Sequence, residues 1–169
     1  MTWPLVCCVG LSLALLAPPV SVPDFSGRWK IDAAKSTAFA REAKGQASPV
    51  LGEECVVTQT ADTLSLQIAI DTLKVEAIYR LDGKPSHNLS PGGRGQSGIP
   101  IVSTARWVGD TLEITTKSES DLGGVTVPVT SLRRMWLTAE GDLAVERHGT
   151  PTKVVSDAWS VYQRMTGER

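Results

Sequence analysis

The chain has 169 residues, a formal net charge of −1, and 21% charged and 41% hydrophobic residues, which suits one packed domain. Near neutrality leaves no electrostatic footprint for nucleic acid or an anionic membrane surface, and a mean hydropathy of −0.03 argues against a disordered chain. A domain of this size hides roughly two-thirds of its unfolded surface, so it needs no metal or disulfide staple.

The first segment differs from the rest. Residues from Pro4 to Ala17 are nearly all apolar, and no charge precedes Asp24. That run fits the apolar part of a secretion signal and falls short of the roughly 20 residues that a spanning helix needs. No Lys or Arg precedes it, and Pro18 and Pro19 interrupt the small-residue cleavage pattern. The sequence predicts a signal helix over 1–22 and a mature domain over 23–169, exported to a periplasmic or extracellular space with no membrane association beyond the signal. Cys7 and Cys8 belong to the signal, which leaves Cys55 as the one mature cysteine. It has no disulfide partner, and its apolar neighbours Val56 and Val57 predict a buried, inert thiol.

Period-two alternation then takes over. Leu64, Leu66, Ile68 and Ile70 stand at every second position, followed by Leu73, Val75, Ala77, Tyr79 and Leu81. Leu112 and Ile114 repeat the pattern, as do Leu143 and Val145. One apolar and one polar face is the mark of an antiparallel sheet with one side buried. Ala61-Asp62, Asp82-Gly83, Gly109-Asp110, Gly123-Gly124 and Glu140-Gly141-Asp142 supply the turns. Nine strands are predicted, at about 25–31, 54–60, 63–70, 73–81, 100–108, 111–117, 125–137, 142–148 and 158–164. Pro128 implies an edge, bend or bulge in the seventh. The apolar phase slips between Val125-Val127-Val129 and Leu132-Arg134-Trp136, which points to a bulge. Ala-rich sequence around 37–43 suits one or two helical turns, and 84–98 reads as a mobile Gly- and Ser-rich loop.

A meander of so many strands exposes two edges unless it closes, and closure into an up-and-down barrel removes both. The expected fold is therefore all-β, a single antiparallel barrel of about eight or nine strands. A two-sheet sandwich is the competing architecture.

Phe25-Ser26-Gly27-Arg28-Trp29-Lys30 carries a Gly-x-Trp at the start of the first strand, and the last strand ends in Val161-Tyr162-Gln163-Arg164. This pairing resembles the calycin and lipocalin pattern. The wider layout resembles bacterial secreted lipocalin-like proteins of unassigned function, through Ala34-Lys35-Ser36, Leu81-Asp82-Gly83-Lys84 and Trp107-Val108-Gly109-Asp110-Thr111-Leu112. The likeness spans about Pro23 to Arg164. It implies that Trp29, beside Gly27, closes the barrel floor with Arg164 lying across it as a cation–π partner worth on the order of 1 kcal/mol. The chain lacks the disulfide and the C-terminal helix of lipocalins proper.

Candidate sites are sparse. His87 and His148 form no metal-ligand cluster with the acids or Cys55, and no Ser or Cys has a base paired with it. Hence no catalytic residue, metal or cofactor is expected. Gly92-Gly93-Arg94-Gly95 reads as a loop tip rather than an anion cradle, and Asn88-Leu89-Ser90 matches a glycosylation sequon followed by Pro91. The aromatics say more. Tyr79 shares the apolar face of its strand, and Trp107 continues the alternation of Ile101, Ser103 and Ala105. Arg134 and Trp136 share a face of the seventh strand. If that face points inward, it puts a cation inside the cup, as fatty-acid-binding barrels do for a carboxylate. If it points outward, Arg134 meets water and the Trp residues are structural.

The expected function is the binding of a small hydrophobic or amphipathic molecule by a monomeric barrel, with Tyr79, Trp107, Arg134 and Trp136 as lining residues. The alternative is a filled barrel that acts as a protein-interaction or inhibitor module through its outer surface.

Overall fold

Alternating sequence becomes ten strands in the computed structural model, which describes residues 22–36, 49–70, 73–90, 98–151 and 157–166. The expected signal up to residue 21 and the helical turns around 37–43 lie outside the described residues. The strands are β1 (Gly27–Ile31), β2 (Glu54–Gln59), β3 (Thr63–Ile70), β4 (Leu73–Arg80), β5 (Ser86–Ser90), β6 (Ile99–Val108), β7 (Thr111–Asp121), β8 (Thr126–Leu137), β9 (Leu143–Thr150) and β10 (Ala158–Arg164). Each runs antiparallel to its neighbours in the order β4-β3-β2-β1-β10-β9-β8-β7-β6-β5. This is a meander bent into a nearly closed barrel, and pairing of β1 with β10 joins its two halves.

Two expectations need correction. Nine strands become ten because Ser86–Ser90, read as part of a mobile loop, pairs residue for residue with β6 from Ser86↔Ser103 to Ser90↔Ile99. The bulge expected in β8 is also absent. The β7–β8 register runs unbroken from Leu112↔Met135 to Asp121↔Thr126, so the slip in apolar phase reflects which side chains face inward. Pro128 does lie at an edge. It pairs with Glu119 of β7, while the β8–β9 ladder starts only at Thr130↔Thr150, so its missing N–H interrupts no second ladder.

The two ends of the barrel differ. Short turns link strands at one end, among them the two-residue Gly109-Asp110 turn between the paired Val108 and Thr111. Gly109 there has φ 64°, a left-handed conformation in which a side chain would be strained. The longer connections gather at the opposite end, here called the mouth.

The short-turn end is packed shut. Trp29 is fully buried, its Nε1 donates to the Phe25 carbonyl at 2.9 Å, and the Arg164 guanidinium lies 4.4 Å over its ring. Arg164 also donates to the carbonyl oxygen of Ser26. Gly27, at φ 147°, lets the two elements approach, since a Cβ there would stand 2.6 Å from Arg164 Nη1. Phe25 and Trp107 meet at a centroid distance of 5.5 Å. Leu64, Leu66, Leu112, Met135, Leu143 and Val145 are fully buried around them.

The seam between β4 and β5, the two ends of the ladder, is closed by side chains. The Asn88 amide plays the part of a backbone unit, accepting from Ile78 N–H at 2.8 Å and donating to Ile78 C=O at 3.0 Å. Ser86 Oγ accepts from Arg80 N–H at 2.8 Å. Asn88→Ala removes two of these three bonds. We expect a stability loss of about 1–2 kcal/mol in chemical denaturation, together with faster hydrogen exchange at the Ile78 amide.

Candidate functional site

The strand registers place inward-facing residues in rows across the wall. Trp107, Leu112, Met135, Val145 and Ser160 are successive partners from β6 to β10. The next row toward the mouth is Ala105, Ile114, Arg133, Arg147 and Ala158. Beyond it stand Ser86, Ser103, Thr116, Ser131 and Gly149. An apolar base thus passes through a row with two arginines into a row of small, mostly hydroxyl-bearing residues.

Arg133 and Arg147 are direct partners on adjacent strands, so their Cβ atoms stand roughly 5 Å apart on one face. Arg133 reaches across the lumen, and its Nη1 lies 3.4 Å from the Tyr79 hydroxyl on β4. Its Nε is buried and has no hydrogen-bond partner among the described residues. Burial, and after it the Arg133 charge, lowers the pKa of Arg147 below the usual arginine value, against the pull of Tyr162 and Asp157. Two cationic side chains thus share one inward row, with Asp157 among the groups that act on Arg147.

Two neighbours of the pair, Cys55 and Tyr162, are neutral. Burial pushes the Cys55 thiol up to about 12, only partly opposed by Arg133, and pushes Tyr162 up to about 12 as well. The Tyr162 hydroxyl accepts from Leu51 N–H at 2.7 Å and donates to Gly52 C=O at 3.2 Å. Ser160 Oγ accepts from Val50 N–H at 3.1 Å. These bonds fold residues 49–52 over the inner face of β10, with Leu51 fully buried. Among the described residues no three side chains of metal-ligating type lie together.

Of the residues singled out by spacing, Tyr79 and Trp107 lie on the inward face. Trp107 is part of the packed base against Phe25, while Tyr79 belongs to the arginine cluster. Arg134 and Trp136 lie on the outer face. The unbroken β8 register turns Arg133 and Met135 inward, and a shift of one residue reverses the face. Arg134 pairs with Glu113 at 3.1 Å and Glu146 at 3.6 Å, and Arg106 adds a 3.0 Å contact to Glu113. Trp136 packs on Trp159 with ring centroids 5.1 Å apart. Neither residue faces the lumen, as in the outward alternative, and the cation on the inward face of β8 is Arg133. Arg147, Tyr162 and the hydroxyl row are further inward residues that the alternation left unmarked. The signal for Arg147 was present, since it continues the Leu143-Val145 phase.

His148 completes the outer network, with Nε2 2.6 Å from Glu146 and Nδ1 3.4 Å from Asp157. The Glu146 bond first, then Asp157, raises its pKa above the ordinary 6.5. A raised value means that protonation favours the fold. The contribution is complete below about pH 6.5 and is lost as pH climbs through the folded value. The stability difference between the wild type and His148→Gln should therefore be largest near about pH 5.5 and shrink toward about pH 8.5 in urea titrations. The raised thiol pKa gives a second expectation. Native Cys55 should resist alkylation by iodoacetamide at about pH 8 and react once the chain is unfolded.

No family model and no curated protein matches the chain.

Proposed function

We propose that this domain is an exported, lipocalin-like carrier whose barrel holds one small amphipathic molecule, with the bound molecule lying between the packed base and the mouth. The observation that carries this reading is the buried Nε of Arg133, which has no hydrogen-bond partner among the described residues, beside a second arginine inside the barrel. A buried donor left without an acceptor is a mark of functional sites. The small-residue row from Ser86 to Gly149 supports it too, because such side chains reach only a short way into a ten-stranded cross-section. Apolar Ile101, Val127 and Val129 share the inward phase nearer the mouth, so the lining is mixed, as an amphipathic molecule requires. The apolar run over 4–17 supports export, and Gly27, Trp29 and Arg164 support the lipocalin-like grouping.

A second reading has its own observation. Ile78, Leu89 and Val102 are 38–59% exposed on the outer face at the seam, beside a depression of about 370 Å³. Such a patch suits a protein-interaction module.

Native mass spectrometry of protein purified from its own host separates the two. We expect a small non-covalent adduct that leaves on denaturation. A bare polypeptide mass, together with tryptophan emission unmoved by titration with an amphipathic fluorophore, would overturn the carrier reading. A stoichiometric protein partner would favour the second.

A further inference from the structure

His148 stands between two carboxylates on the outer wall, at the mouth end of β9. We propose that it is a proton-operated clasp, an imidazolium that fastens β9 to Asp157 at the entry to β10 and releases it on losing its proton.

Donor counting carries the proposal. Nε2 lies 2.6 Å from Glu146 Oε1, and Nδ1 lies 3.4 Å from Asp157 Oδ1. An ionised carboxylate only accepts, so both contacts are attractive only when each nitrogen carries a hydrogen. The imidazolium has two such hydrogens. The neutral ring has one N–H and one lone pair, and that lone pair then faces one of the two acids.

The contacts are unequal, which decides which one opens. Glu146 is two residues away on the same strand, and so on the same face. Its contact to His148 is short, and its other oxygen lies 3.6 Å from Arg134 Nη1 on β8. Asp157 reaches back from beyond the end of β9. Its Oδ1 is held by the longer contact to Nδ1 and by a 3.3 Å bond from the Gly149 N–H. The neutral ring therefore keeps its hydrogen on Nε2 for Glu146 and releases Asp157.

The charges around the ring leave the imidazole as the group that switches. On the elements packed beside it, Arg134 of β8, Glu113 of β7 and Arg106 of β6 form a chain of ion pairs leading to Glu146. Arg106 and Arg134 hold the Glu113 carboxyl below its usual range, and Glu113 raises Arg134, so these three keep their charges between about pH 5 and 8. Arg147 follows the opposite phase of the strand, toward the lumen, and Asp157 is among the charges that act on it. A proton bound outside thus bears, through Asp157, on the inner row of the same strand. The Glu146 bond, and after burial's opposing effect the Asp157 bond, raises the imidazole above its ordinary 6.5. The clasp is shut below about pH 6.5 and opens as pH climbs through the folded value.

The test is NMR on the full-length protein, with the His148 ring shifts reporting the proton and exchange protection of the Gly149 amide reporting the clasp. Protection should fall about two- to fivefold as His148 deprotonates, with the same midpoint as the ring. His148→Gln should hold Gly149 at the lower protection across the range. Asp157→Asn should lower the His148 pKa and shrink the Gly149 step, whereas His87→Gln, on β5, should leave the step intact. His148 and Asp157 are 43% and 42% exposed, so neither variant opens the core. A Gly149 step that persists in His148→Gln would overturn the proposal, as would a His148 pKa unmoved by Asp157→Asn or a wild type without the step.

Discussion

Closure of β1 on β10 is the constraint from which the rest of this architecture follows. Every other pair of neighbouring strands is consecutive in sequence, so local connections alone can build two separate sheets. Only when Trp29 comes opposite Arg164 do those sheets enclose a common interior. The contact is crowded, with an indole under a guanidinium, a carbonyl accepting from that guanidinium, and a glycine where any Cβ would collide. Its crowding gives the barrel a definite floor. A definite floor in turn decides which rows of the wall are base and which are free to face something else.

Much of the fold was legible because a half-buried strand must alternate. Leu64-Leu66-Ile68 and Leu112-Ile114 announce their inward faces directly, and glycine and aspartate mark the turns between them. β5 escaped notice because its work is polar. Ser86 and Asn88 are there to satisfy the backbone of β4, and nothing in hydrophobic patterning registers a side chain used that way. β8 misled for a related reason. An inward arginine breaks the apolar phase, and Leu132 and Trp136 on the outer face offered a false phase one residue away. The cation on the inward face of β8 is Arg133, one residue before the Arg134 that the spacing singled out as a candidate. The lesson is local. A phase break opposite an uninterrupted partner strand is as much a sign of inward charge as of extra backbone.

Read from floor to mouth, the lumen is graded. Its lower rows are apolar and closed, its middle carries cationic donors, and its upper rows are small and mixed. The outer face over the same strands is different in kind. There, Arg106, Glu113, Arg134, Glu146 and His148 neutralise one another in an exposed ladder that contributes modestly to stability. The same two strands thus carry a paired network of charges outside and the Arg133–Arg147 pair within, separated by one step of the pleat.

The seam between β4 and β5 has a mechanical consequence. Elsewhere the wall is a continuous ladder, and widening it means breaking consecutive backbone bonds. At the seam, among the described residues, the hydrogen bonds between the two edges come from the Asn88 amide and the Ser86 hydroxyl, groups that can swing away and return at about 1 kcal/mol each. The cylinder behaves as a split ring, stiff around most of its circumference and compliant along a single line. Its girth can adjust there while the floor keeps its shape.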